Sequence, residues 1–90
     1  MNIELKGTLK VIKAEEKIND SFSKKEIVIT IDENTQYPQD IIVQALNSGI
    51  DLCNTLKMGD RVSATIDLRG KCSQDGRYFN QLILWKIEKI

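Results

Sequence analysis

The sequence predicts an all-β barrel that carries one short helix. Three observations lead there. Apolar residues recur at every second position in several separate stretches, polar turns divide those stretches, and one stretch past the middle spaces its apolar residues as a helix does. Ninety residues suit one domain, residues 1–90, with a core that needs no disulfide staples.

In the first strand, residues 3 to 13, Ile3, Leu5, Gly7, Leu9 and Val11 share one face, and Glu4, Lys6, Thr8 and Lys10 share the other. A glycine inside a strand marks a bulge or sharp bend, as at a barrel corner where one strand serves two sheets. Residues 14 to 25, AEEKINDSFSKK, are polar apart from Ile18 and Phe22 and contain the turn formers Asn19, Asp20 and Ser21, so they read as a long loop. The second strand, Glu26 to Asp32, sets Ile27, Ile29 and Ile31 against Glu26, Val28 and Thr30.

Asp32 to Gln36 turns the chain into a third strand, Tyr37 to Leu46, and the short link makes the two an antiparallel hairpin. Pro38, the one proline, has no N–H for a ladder and holds Tyr37 extended, which fits a strand opening. Asn47 and Ser48 are placed to cap a helix reaching about Leu56, with Ile50, Cys53 and Leu56 on one side. The fourth strand, Arg61 to Gly70, turns Val62, Ala64, Ile66 and Leu68 inward, and Asp75-Gly76 signals the next hairpin. The last strand, Tyr78 to about Ile87, is apolar on both faces: Phe79, Ile83, Trp85 and Ile87 on one, Leu82 and Leu84 on the other. It is expected to be covered on both sides, with Phe79 and Trp85 in the core.

Three strands, a short helix and two further strands are the order of a five-stranded Greek-key OB-fold barrel whose helix plugs the bottom. An SH3-like barrel, the competing architecture, normally lacks a helix of this length in the middle. Composition narrows the function. Thirteen Lys and Arg balance thirteen Asp and Glu, which excludes a grip on nucleic acid by bulk charge. Histidine is absent and no serine or cysteine has an identifiable activating partner, so neither catalysis nor a metal or other cofactor is expected. The beginning of the chain lacks a signal-peptide layout and no apolar run approaches the ~20 residues that span a bilayer, so a cytoplasmic protein without a membrane partner is expected. In that setting Cys53 and Cys72 are free thiols.

Several segments carry a family resemblance: KKEIVI at 24–29, QYPQ at 36–39, LKMGDRV at 56–62, LRGK at 68–71, and YFNQL at 78–82 leading to Trp85. Together they resemble a family of small bacterial and phage OB-fold proteins similar to single-stranded DNA-binding proteins, from the first strand to Trp85. The chain departs from that pattern at Lys71-Cys72-Ser73, where an aromatic residue is expected, and in its lower positive charge. The resemblance implies a non-enzymatic protein that coats single-stranded DNA without sequence preference in replication, recombination or repair. It also implies the cytoplasm of a bacterial or phage-infected cell. One OB-fold covers only about 4–16 nucleotides, so self-association is expected, to multiply weak sites. The C-terminal residues WKIEKI form no acidic tail, so recruitment of partner enzymes through one is not expected.

Single strands are held by bases stacked on aromatic rings, with lysine and arginine tracking the backbone. The candidate nucleic-acid-binding residues are therefore Phe22, Lys24, Lys25, Tyr37, Arg61, Arg69, Lys71, Arg77 and Tyr78. Two roles stay open for Tyr37: a base platform at the groove edge, opposite Tyr78, or a ring packed over the barrel end with its hydroxyl in water. Phe22 is a stacking residue or an anchor of its loop to the core. The alternative function is an OB-fold adaptor or subunit that binds protein and no nucleic acid.

Overall fold

Period-two alternation becomes six strands and one 3-10 helix in the computed structural model, which describes residues 2–32 and 34–90. Residue 33 of the predicted turn, and Met1 of the N-terminal segment, lie outside the described residues. The strands are β1 (Asn2–Ile12), β2 (Glu16–Asn19), β3 (Phe22–Ile31), β4 (Gln39–Leu46), β5 (Arg61–Cys72) and β6 (Tyr78–Lys89), with the 3-10 helix at Asn47–Cys53. Five of them, in the order β1-β5-β6-β4-β3 and back to β1, close the OB-fold ring, and β2 extends β3 as a short hairpin. The residues read as one long loop therefore include β2 and the first turns of the β3 ladder. Their sequence hid this because β2 is exposed throughout and shows no alternation.

Leu9, Ile27, Ile29, Val43, Ala45, Val62, Ala64 and Ile66 are fully buried and line the barrel, as their parity requires. Ile50, Cys53 and Leu56 close its end. Burial pushes the Cys53 thiol up, which leaves it an unreactive packing group. The helix is shorter than expected, and its predicted cap does something else. Asn47 has φ 48° and its side-chain oxygen accepts the Ser23 N–H at 2.9 Å, so it ties the start of β3 to the end of β4 while no side chain caps the helix.

β1 is the corner strand. Its first part pairs with β5 as far as Thr8↔Arg61, and its second part pairs with β3 from Thr8↔Thr30 onward. Gly7 sits at the changeover, where a Cβ would meet the Thr30 carbonyl oxygen at 2.1 Å. Only a residue without a Cβ lets the two strands approach that closely. Beyond it, Leu9 exchanges hydrogen bonds with the turn before β5, giving its N–H to Asp60 O (2.8 Å) and accepting from Gly59 N–H (2.7 Å).

The ring closes at a narrow seam: β4 and β6 run parallel and are bridged at Gln44↔Ile83. β4 begins at Gln39, not Tyr37. The Thr35 N–H donates to Asp32 O (3.1 Å) and the Thr35 hydroxyl receives the Tyr37 N–H (3.3 Å), so the turn keeps Tyr37 out of the ladder.

Candidate nucleic-acid interface

β6 departs from the sequence reading, and a β-bulge is the reason. In the β5–β6 ladder Thr65 pairs with Lys86 and Ile66 with Leu84, so Trp85 is an extra residue without a partner. One extra residue reverses the parity of everything on the other side of it. Leu84 and Ile87 therefore both face the core, whereas Trp85 is 65% exposed and Phe79 50% exposed. Assigning these two rings to the core was incorrect. The spacing of Leu82, Leu84 and Ile87, two residues and then three, was the signal that could have found them.

Residues directly opposite in a ladder share a face. On the outer side of the β5–β6 hairpin Lys71 lies opposite Phe79, Arg69 opposite Gln81, and Asp67 opposite Ile83. The Gln44↔Ile83 bridge continues this surface onto β4, where Ile42 is exposed because it alternates with buried Val43. The result is one outer face that carries Phe79, Trp85, Ile42, Gln44, Gln81, Arg69 and Lys71. It combines aromatic platforms, amides and cations, the residue types that hold unpaired bases and their phosphates.

The nine candidates divide on this frame. Arg69 and Lys71 lie on the outer hairpin face. Arg77 and Tyr78 lie at its tip, and Tyr78, 83% exposed and opposite Cys72, points to the other side from Phe79. Tyr37 is 72% exposed, which excludes a core plug. Because β4 and β6 are parallel, Gln39 and Tyr78 each stand five residues ahead of the bridge, so Tyr37 and Tyr78 belong to the same end of the barrel. Phe22, half-buried, and Lys24 lie at the opposite end of β4, where Lys24 pairs with Leu46 in the ladder. Lys25 alternates to the core side, opposite Ala45. Arg61 opens β5, eight residues or about 26 Å along the strand from Arg69, and is not brought to the hairpin.

At least three of the six candidate cations are ion-paired among the described residues. Arg69 Nε meets Asp67 Oδ2 at 2.7 Å, Arg77 Nε meets Asp75 Oδ2 at 3.2 Å, and Lys24 Nζ lies 3.8 Å from Glu16 Oε2. Lys71 has no ion-pair partner among the described residues. The Arg69 guanidinium holds the Asp67 carboxyl below the usual carboxylate range, and the Ser73 hydroxyl does the same for Asp75. Beside Tyr37, Asp40 is lowered by the Lys10 ammonium, 2.9 Å away, and by the Thr30 hydroxyl at 2.8 Å, a network that joins β1, β3 and β4.

A shallow polar depression of about 160 Å³, lined by Glu4, Ser63, Thr65, Lys86 and Glu88, is smaller than small-molecule sites usually are. Among the described residues no group of three or more His, Cys, Asp or Glu is placed to hold a metal, and no helix is long and apolar enough to cross a membrane.

Solved structures share this architecture. The mitochondrial single-stranded DNA-binding protein Rim1 of S. cerevisiae superimposes with a TM-score of 0.79 at 11% identity, covering 100% of this chain and 95% of that one. The N-terminal domain of PriB from Thermoanaerobacter tencongensis, solved as a dimer, gives 0.72 at 12% identity, covering 99% and 94%. A small single-stranded DNA-binding protein from Streptomyces coelicolor gives 0.59 at 14% identity, covering 100% and 94%. At such identities the likeness establishes a shared fold, the OB-fold of the single-stranded DNA-binding proteins. No curated protein matches in sequence. Residues 4–88 match the family model described as Domain of unknown function (DUF3127), and with nearly its whole length inside that match the chain belongs to this family.

Proposed function

We propose that this protein binds single-stranded DNA without sequence preference, as one OB-fold unit spanning residues 1–90, and that it serves replication, recombination or repair by coating exposed strands in the cytoplasm. The observation that carries the reading is the outer face on which Phe79, opposite Lys71, and Trp85 stand in solvent, with Arg69 on the stretch between them. Exposed rings of this size are unfavourable on a surface without a partner, and unpaired bases are a partner that stacks on them. The relatives in fold support the reading: Rim1 and the Streptomyces protein bind single-stranded DNA by name. Binding is non-catalytic, and self-association raises the affinity of a short site.

Trp85 is the only tryptophan and it lies on the proposed face, so its fluorescence reports binding directly. Titration with an oligothymidine at low salt is expected to quench it. The dependence on salt is expected to be shallow, because each contacted phosphate of a single strand contributes a slope of about −0.7 and few cations are uncommitted. Equal or tighter binding of duplex DNA overturns the reading, and binding of neither form leaves the protein-binding adaptor.

Tyr37 and Tyr78 stand exposed at the end of the barrel where β4 and β6 begin, Tyr78 on the other side of the hairpin from Phe79, and on this reading Tyr37 is a further base platform there. Tyr37→Ala is expected to weaken oligothymidine binding about 5-fold or more, from about 1 kcal/mol or more of lost stacking. Tyr37→Phe keeps the ring and is expected to bind nearly as the wild type does. Melting temperature measured on the same preparations separates this from a packing role, which predicts early melting with unchanged affinity.

A further inference from the structure

Both arginines near the end of the β5–β6 hairpin are held by an acid of the same hairpin. Asp67 and Arg69, two residues apart on the outer face of β5, meet at 2.7 Å, and Asp75 in the turn meets Arg77 at 3.2 Å. Asp75 is fixed further by the Ser73 hydroxyl, which also receives the Arg77 N–H at 3.2 Å. The hairpin thus offers aromatic rings at full strength and guanidinium charge at reduced strength.

That imbalance acts differently on the two forms of DNA. A duplex carries one phosphate charge per ~1.7 Å against ~3.4 Å for one strand, and each cation it neutralises contributes a salt slope of about 0.9 against about 0.7. Its base faces, however, are hidden in the stack. A single strand supplies less charge and every base face. Muting the arginines therefore removes more from duplex binding than from single-strand binding, and it leaves the stacking term untouched.

We infer that Asp67 and Asp75 are specificity-determining residues, which bias this face toward unpaired nucleic acid by occupying Arg69 and Arg77. The inference rests on the single-stranded DNA reading above and adds the residues that set its selectivity. The acids are as much a part of the interface as the rings.

The test compares the wild-type chain with Asp67→Asn/Asp75→Asn, using an oligothymidine and a duplex of equal length at several salt concentrations. Asparagine keeps the shape of each side chain, and the melting temperature is measured alongside. Both affinities are expected to rise, that for duplex more. With two freed cations, the difference in slope corresponds to about a threefold fall in single-strand preference near 50 mM salt. Glu15→Gln/Asp51→Asn makes the same charge change at two exposed positions away from the hairpin, and it is expected to leave the preference unchanged. An equal shift in that control, or no shift in the hairpin variant while the wild type binds oligothymidine, overturns the inference alone. Failure of the wild type to bind oligothymidine overturns both the inference and the reading beneath it.

Discussion

Trp85→Ala is expected to lower affinity for an oligothymidine by up to about 150-fold, the upper end of the roughly 1–3 kcal/mol that one base–aromatic stack contributes. Stability is expected to change little. A buried tryptophan cut to alanine costs about 3–5 kcal/mol, which in a chain of this size is a fall of about 12 °C or more in melting temperature. Trp85 stands outside the ladder with most of its surface in water, so that loss has no source here. Affinity read by anisotropy of a labelled oligomer, with melting followed on the same samples, distinguishes the two. Trp85→Phe is expected to recover most of the binding. Early melting with wild-type affinity would identify the indole as a packing group that merely shows an edge to solvent.

Gly7→Ala is expected to be the most damaging small substitution in the barrel. The added methyl would lie 2.1 Å from the Thr30 carbonyl oxygen, 2.9 Å from its carbon and 3.2 Å from Ile29 Cγ2. Two of those atoms are backbone, so relief requires β1 and β3 to separate where both ladders meet. A cost of about 3 kcal/mol, at the upper end of ordinary overpacking, lowers the melting temperature by about 12–24 °C. Gly76→Ala is the useful contrast. Gly76 has φ 85° and open space around it, so its penalty is the left-handed backbone alone, about 1–2 kcal/mol. Thermal melts of the two variants side by side test the ranking, and a Gly7→Ala protein that melts no earlier than Gly76→Ala would mean that β1 has room to move.

The barrel was legible because its inward residues obey alternation without interruption through β3, β4 and most of β5, and because Gly7 and Gly76 mark a corner and a turn that no other residue type suits as well. Elsewhere the pattern is set by a partner strand, and one strand's own sequence does not reveal it. The extra residue at Trp85 exists only relative to Thr65 and Ile66, so parity counted along β6 alone put two exposed rings inside. β2 escaped notice because a polar hairpin has no apolar phase to count, and Asn47 misled because its side chain bonds across to Ser23 instead of capping its own helix. Of the candidate site, the hairpin cations and the two tyrosines were visible as residue types near turns. Their partition between faces, and the capture of the arginines by Asp67 and Asp75, required the register.

The corner role of β1 also sets an order of events at the ribosome. Its pairs with β5, from Asn2↔Asp67 to Thr8↔Arg61, join residues about 53 to 65 apart in sequence, whereas β3–β4 and β5–β6 are local hairpins. At a synthesis rate of about 5–20 residues per second, the first half of β1 waits roughly 3–13 s for the strand that completes it. During that interval Ile3 and Leu5 have no sheet to cover them, and the β3–β4 hairpin is free to form first. The long separations also predict slow closure once synthesis ends, on the millisecond-to-second scale of barrels dominated by distant pairings. The β1–β5 seam therefore spans the longest separation in the chain, and the β4–β6 seam, which needs the last strand to be made, closes the ring after it.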